Sequence, residues 1–192
     1  MRRAFIVFFG PPGSGKGTQA KLAVEELGLA QISTGELFRK HLGEKTALGL
    51  KAQEFMARGA LVPDEITIDM VRERLKQPDC ARGAIFDGFP RTREQAIALD
   101  NLLTELSAEL CMVVDFVLPL DVSRARLLAR QEGRADDKPE VIEKRLSDHA
   151  RVEASVMPHY RARPGLVHAI DGNRPVEVIY GDVLALVRSC LD

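Results

Sequence analysis

Nine residues near the start constrain this chain more than anything else in it. Gly10-Pro11-Pro12-Gly13-Ser14-Gly15-Lys16-Gly17-Thr18 follows the apolar run Ala4 to Phe9 and opens a segment of helical character. A glycine-rich turn between a strand and a helix lets successive backbone N–H groups face one concavity. The helix N-terminus adds partial positive charge, so the turn forms an anion-binding nest. A lysine in this place reaches the β and γ phosphates of a bound triphosphate. The strict phosphate-loop pattern has Ser or Thr directly after the lysine, whereas this chain has Gly17 and offers Thr18 one place later. Thr18 is the candidate hydroxyl for a metal contact, displaced by one residue. The alternative, a bare strand-to-helix turn, accounts for neither the lysine nor its spacing.

A loop of this kind needs a sheet behind it, and the chain supplies the pattern. Ala4 to Phe9, Leu29 to Ser33, Gly83 to Asp87, Cys111 to Leu118 and Leu166 to Ile170 read as buried strands. Their apolar residues are consecutive rather than alternating, as expected of a sheet covered on both faces. Between them, spacings of three and four, such as Leu99, Leu102, Leu103 and Leu106, read as amphipathic helices. Alternating strand and helix predicts an α/β fold with a doubly wound, mostly parallel sheet. Its ligands collect beyond the carboxyl ends of the strands.

One connection is oversized. From Ser33 to Arg82 about fifty residues intervene, where a single crossover needs about a dozen. An inserted helical lobe is expected, with helices opening after Ser33-Thr34, running from Ala47 to Arg58, and opening at Pro63-Asp64-Glu65 with Asp64 as the cap. Gln131 to Lys138, rich in Gly and Asp, reads as a short flap before a long helix beginning near Pro139.

Composition narrows the function classes. The 192 residues suit one domain core with small appended lobes. With 27 Lys+Arg against 28 Asp+Glu, the net charge of −1 argues against a nucleic-acid scaffold or a polybasic membrane binder. Cys80, Cys111 and Cys190 form an odd set without a C-x-x-C pair, so neither a disulfide framework nor a zinc cage is readable. Ala4 to Phe9 is too short for a signal-peptide core or a membrane span. A cytoplasmic protein is expected.

Other residues join the loop. Asp87 ends the third predicted strand and, if that strand lies beside the first, can hold magnesium through water. Arg91 stands where a bidentate clamp on a second phosphate group would be placed. Ser33-Thr34-Gly35-Glu36 and Thr92-Arg93-Glu94-Gln95 both fit capping boxes, so Thr34 and Gln95 have local explanations as well. What favours a site is convergence: both helix openings, Arg39 and Arg91 would face one cleft beside the loop.

Taken together, GPPGSGKGTQA (10–20), STGELFR (33–39), LVPDE (61–65), DGFPRT (87–92) with Gln95, and GRADD (133–137) resemble the adenylate kinase family, in order and over nearly the whole chain. The resemblance implies a P-loop NTPase-type core with a five-stranded parallel sheet (1–32, 63–130 and 139–192), a helical nucleoside-monophosphate lobe (33–62) and a short lid (131–138). It implies that Gly13, Ser14, Gly15, Lys16, Gly17 and Thr18 cradle ATP phosphates, that Arg126 packs on the ATP adenine and that Arg174 offers a backbone contact to it. Thr34, Arg39, the Ala60, Leu61 and Val62 backbone, Gly88, Phe89, Pro90, Arg91 and Gln95 would hold AMP. Arg130 and Arg134 would meet the transferring phosphoryl group and its neighbours, and Arg145 would help neutralise it.

The chain departs from the family pattern at Glu36, where Asp is commoner, and at Phe38, where Leu is commoner; both changes are expected to affect lobe packing. Only Gln131, Glu132 and Gly133 separate Arg130 from Arg134, and the cysteines of longer lids are missing, so structural zinc is not expected.

The implied activity is magnesium-dependent phosphoryl transfer from ATP to AMP, yielding two ADP, in a monomer whose partners are nucleotides and neither nucleic acid nor membrane. Such transfer asks a protein for positioning and charge neutralisation. An AMP phosphate is already anionic near neutrality, so no general base is required, and His41, His149, His159 and His168 are expected to be structural or exposed. A UMP/CMP kinase is the nearest rival. There the position of Thr34 is typically Ala and that of Gln95 typically Asn, so this chain favours adenine. A non-catalytic ATP-binding regulatory module is the alternative from another class; the absence of a guanine-reading Asn-Lys-x-Asp element weakens its GTPase-switch form.

Overall fold

The computed structural model of the chain describes residues 3–57, 62–129 and 138–191. Each apolar run forms a strand: β1 (Ala4–Phe9), β2 (Ala30–Ser33), β3 (Gly83–Asp87), β4 (Leu110–Val117) and β5 (Val167–Asp171). Among the described residues they make one sheet, ordered β2-β3-β1-β4-β5, with every pairing parallel. The helices are α1 (Lys16–Leu27), α2 (Thr34–Gly43), α3 (Ala47–Ala57), α4 (Asp64–Leu75), α5 (Arg93–Glu105), α6 (Leu120–Ala129), α7 (Pro139–Arg161) and α8 (Val176–Ser189).

Consecutive hydrophobicity in β1 follows from its central place, because alternate side chains enter different cores. Phe5, Val7 and Phe9 pack with residues of α4, α5 and α7, among them Val71, Leu99 and Tyr160. Ala4, Ile6 and Phe8 pack with Ala20 and Ala23 of α1 and with Ile179 and Val183 of α8. No described helix is long and apolar enough to cross a membrane.

Between β2 and α4 lie α2 and α3. Phe38 and Ala52 from these helices cluster with Val62 and Met70, separately from the two large cores. Phe38 is thus a packing residue, buried to 6% exposure, while the exposed Glu36 pairs with Lys21 at 3.6 Å. Another small cluster joins Leu127 of α6 to Ile142 and Leu146 of α7. Of the expected flap, residues 131–137 lie outside the described residues.

Register positions the site. Phe8 pairs with Asp87 across β1 and β3, and Ser33 pairs with Asp87 across β2 and β3. Three strand ends therefore finish level, and the glycine turn after β1, the start of α2 after β2 and the turn after β3 share one edge. At α4 the expectation of an Asp64 cap is corrected. Pro63 occupies the cap position without a side-chain bond, and Asp64 is the first helical residue. Pro63 has its φ near −48° already suited to starting a helix.

Candidate active site

The edge opens into a cleft of about 710 Å³ lined from both sides of the sheet end. On one side is the glycine turn. Gly10, Gly13 and Gly15 hold φ of +135°, +81° and +91°, values that L side chains rarely adopt. A Cβ on Gly10 would collide with the Phe116 carbonyl, and one on Gly13 would stand 3.0 Å from the Ser123 carbonyl. Ser123 Oγ also donates to the Pro12 carbonyl, so α6 braces the turn from outside.

Lys16 Nζ donates to the carbonyls of Gly10 and Pro11 at 2.7 and 2.8 Å, and to Ser14 Oγ at 3.1 Å. All three ammonium hydrogens are satisfied by the turn itself. Burial lowers the Lys16 pKa to about 8; Asp87 opposes that shift, while Arg91 and Arg145 add to it. The cleft is an electropositive place in which a buried cation gives up its proton more easily until an anion arrives.

Asp87 stands at the cleft wall, its Oδ2 3.4 Å from where a Cβ on Gly17 would sit. Thr18 lines the same wall. A carboxylate and a hydroxyl are hard oxygen donors of the kind that suit magnesium. Among the described residues no group of three or more His, Cys, Asp or Glu converges that could hold a metal ion.

The opposite side is built from distant segments. Thr34 Oγ1 donates to the Gly88 carbonyl at 2.9 Å, and Arg91 Nε donates to the same oxygen at 2.8 Å. Gln95 Oε1 accepts the Arg91 backbone N–H at 2.8 Å, and Gln95 Nε2 donates to Asp64 Oδ1 at 2.7 Å. Thr92 Oγ1 accepts the Gln95 N–H at 3.1 Å and donates to Asp64 Oδ2 at 2.7 Å. Half of the expected capping box at Thr92 is present, but its Gln95 side chain returns to Arg91 rather than to Thr92. Ser33 Oγ likewise accepts from Glu36 N at 3.4 Å.

The structure brings Gly13, Gly15, Lys16, Gly17, Thr18, Thr34, Arg39, Val62, Gly88, Phe89, Pro90, Arg91, Gln95, Arg126 and Arg145 to the cleft. Ser14 is buried beneath the turn, with 1% exposure. Arg126 reaches the Gly172 carbonyl at 2.9 Å and Asn173 Oδ1 at 3.5 Å, tying α6 to the turn after β5. Arg174 follows that turn, but its side chain goes to Asp182 at 2.7 Å and it does not line the cleft. Ala60, Leu61, Arg130 and Arg134 lie outside the described residues.

Two residues near the cleft belong to none of the motifs that point to a site. His149, set aside on sequence with the other histidines, lines the cleft and packs on the Phe9 ring at 5.8 Å. Burial, and then Lys16, lower its pKa, so it is neutral near pH 7. The signal was present, since His149 lies four residues after Arg145 on α7 and shares its face. Asp115 stands two residues before the end of β4, where Phe9 of β1 is its register partner. Burial raises its pKa, Glu153 adds to the rise, and Arg161, 3.6 Å away, and Lys16 oppose it.

Comparison with known proteins shows the family to which the chain is similar. The family model described as adenylate kinase matches residues 8–164. An adenylate kinase of Cyanothece sp. (strain PCC 7425 / ATCC 29141) is 43% identical over 191 residues, covering 98% of this chain and 95% of the relative. One of Nocardia farcinica is 43% identical over 174 residues, covering 91% and 93%. One of Enterococcus faecalis is 37% identical over 212 residues, covering 95% and 98%. That last alignment is longer than this 192-residue chain, so the relative carries residues with no counterpart here.

Proposed function

The chain belongs to the adenylate kinase family, and from that premise we propose how its cleft carries out reversible phosphoryl transfer from ATP to AMP, giving two ADP. The observation that carries the reading is that two sides of different construction, the glycine turn around Lys16 and the hydrogen-bonded Thr34, Gly88, Arg91 and Gln95, line one cleft. The glycine turn with Lys16 takes the ATP phosphates, and Lys16 exchanges its loop acceptors for phosphate oxygens. The Thr34, Gly88, Arg91 and Gln95 side takes AMP, with Arg39 and the Val62 backbone alongside. Residues 33–62 form the AMP lobe and 131–138 the lid. Arg126 and the backbone at Arg174 meet the ATP base.

In-line attack by an AMP phosphate oxygen on the γ phosphorus spreads negative charge over the equatorial oxygens, and fixed cations stabilise it. Lys16, Arg91 and Arg145 act within one field, as their mutual effect on the Lys16 pKa supports. Arg130 and Arg134 complete the set on the strength of the family pattern. Asp87 and Thr18 would hold magnesium, which when bound would neutralise charge on the β and γ phosphates and orient them. His149, neutral and on the wall, is not needed as a base, because the attacking oxygen carries charge already. On the family pattern, residues 131–138 would serve as the lid that keeps out water able to hydrolyse ATP. A monomer in the cytoplasm acting on nucleotides alone is part of the same proposal and rests on the family resemblance.

A coupled assay with magnesium, ATP and each of AMP, CMP, UMP and GMP tests this. Expected is ADP formation with AMP as the preferred acceptor. A preferred pyrimidine would make the chain a UMP/CMP kinase, and the absence of ADP would leave only a nucleotide-binding module.

A further inference from the structure

A side-chain amide reads a base only if its oxygen and nitrogen are held in known places. A free Gln can turn its amide over and present the reverse pattern. Gln95 is 2% exposed and lines the cleft. Its Oε1 takes the Arg91 N–H at 2.8 Å, and its Nε2 gives a hydrogen to Asp64 Oδ1 at 2.7 Å. Asp64 is in turn fixed by Thr92 Oγ1 on its other oxygen at 2.7 Å. It sits at the first position of α4, outside the cleft lining.

We propose that Asp64 is a positioning residue for base selection: by accepting from Gln95 Nε2 it fixes the amide in the one orientation that suits a 6-aminopurine. The inference deepens the reading of Gln95 as a contact to the acceptor base and rests on it. With one partner on each amide atom, Gln95 keeps one acceptor lone pair and one N–H side by side. Adenine matches them with its N6 amino hydrogen and its N1 lone pair. Hypoxanthine and guanine offer the opposite, an O6 acceptor and an N1–H donor. Turning the amide to suit them would set Oε1 against the Asp64 carboxylate and Nε2 against the Arg91 N–H, leaving two buried clashes of like polarity. The backbone N–H supplies one lock in any sequence; Asp64 supplies the other, across 31 residues of chain.

The test compares AMP with inosine 5′-monophosphate, which differs at the 6 position, as acceptors for the intact protein. Wild type is expected to prefer AMP strongly. Asp64→Ala should lower the AMP-to-IMP ratio of kcat/KM by about tenfold, through a higher KM for AMP and an unchanged or better value for IMP. The KM for ATP should not move. Asp64→Asn should keep the wild-type ratio, because its amide oxygen can still accept from Gln95 while its nitrogen faces the Thr92 hydroxyl. Where Asp64→Ala does not fold, Asp64→Glu keeps the charge at the helix start but displaces the carboxylate by one methylene, and must lower the same ratio. Equal losses for both acceptors, or an unchanged ratio in both the Ala and Glu variants, would overturn the role of Asp64 while leaving Gln95 as the base contact. A wild-type protein indifferent to the two acceptors would overturn the reading of Gln95 itself.

Discussion

The two sides of the cleft are built on opposite plans. On the donor side every bond from Lys16 stays within six residues of it, and the glycines set the shape through backbone conformation. On the acceptor side the bonds run from Thr34 to Gly88, Thr92 to Asp64 and Gln95 to Asp64, across 54, 28 and 31 residues. The first is a contiguous anion nest whose chemistry is common to any polyphosphate. The second is a side-chain network that exists only once four segments have been folded together. On the reading proposed above, the donor phosphates and the acceptor base are held by different parts of the molecule, and the hold on each can be disturbed without the other, while Arg91 adds charge from the acceptor side.

Removing the Lys16 ammonium should test that division most severely. Lys16→Met is expected to lower kcat by about 100- to 1000-fold, the size of effect seen when one preorganised charge-stabilising group is lost. The KM for AMP should stay near wild type in steady-state assays. If it rose as steeply as kcat fell, the two sides would not be separable.

Gly10→Ala should come next and act on the fold. It combines a left-handed φ with a collision against the Phe116 carbonyl, and strain of this kind is worth about 2–3 kcal/mol. The urea midpoint should fall accordingly, and an unchanged midpoint would show that the turn is not tightly seated.

Gln95→Ala should raise the KM for AMP about tenfold, the worth of one hydrogen-bonded base contact, with the KM for ATP unchanged. A matching rise for ATP would join the two sides after all.

The smallest effect is a dependence on pH. The Lys16 pKa stands at about 8 in the ligand-free protein, and a polyphosphate favours the charged form, so binding raises it and takes up a proton. Below pH 8 the ammonium is present and affinity is full. Above it, affinity falls until pH reaches the raised value in the complex. Between pH 7.5 and 8.5 the Kd for ATP should rise about threefold by calorimetry, with proton uptake seen as a dependence on buffer ionisation enthalpy. Lys16→Met should abolish the dependence.

The same contrast explains what could be read in advance. The five strands were legible because a sheet covered on both faces demands consecutive apolar residues, and the oversized excursion after Ser33 was legible by length alone. Asp87 was found because it ends a strand next to the one that carries the loop. Asp64 was misread as a cap because capping is a local rule, whereas its carboxylate is used by Thr92 and Gln95 on another helix. His149 was passed over because nothing beside it in the chain marks a site; only its shared face with Arg145 on α7 does. Arg174 was read for its backbone alone, and its side chain pairs with Asp182 at 2.7 Å.

By itself the sequence determined the α/β layering and the phosphate loop, since hydrophobic period and glycine conformation act over a few neighbouring residues. The tertiary structure alone decided which way the Gln95 amide faces, which side chains Asp64 meets and that His149 stands at the cleft wall. Hydrogen bonds and burial depend on which side chains meet across tens of residues, and that is fixed only by how the strands order and the helices pack.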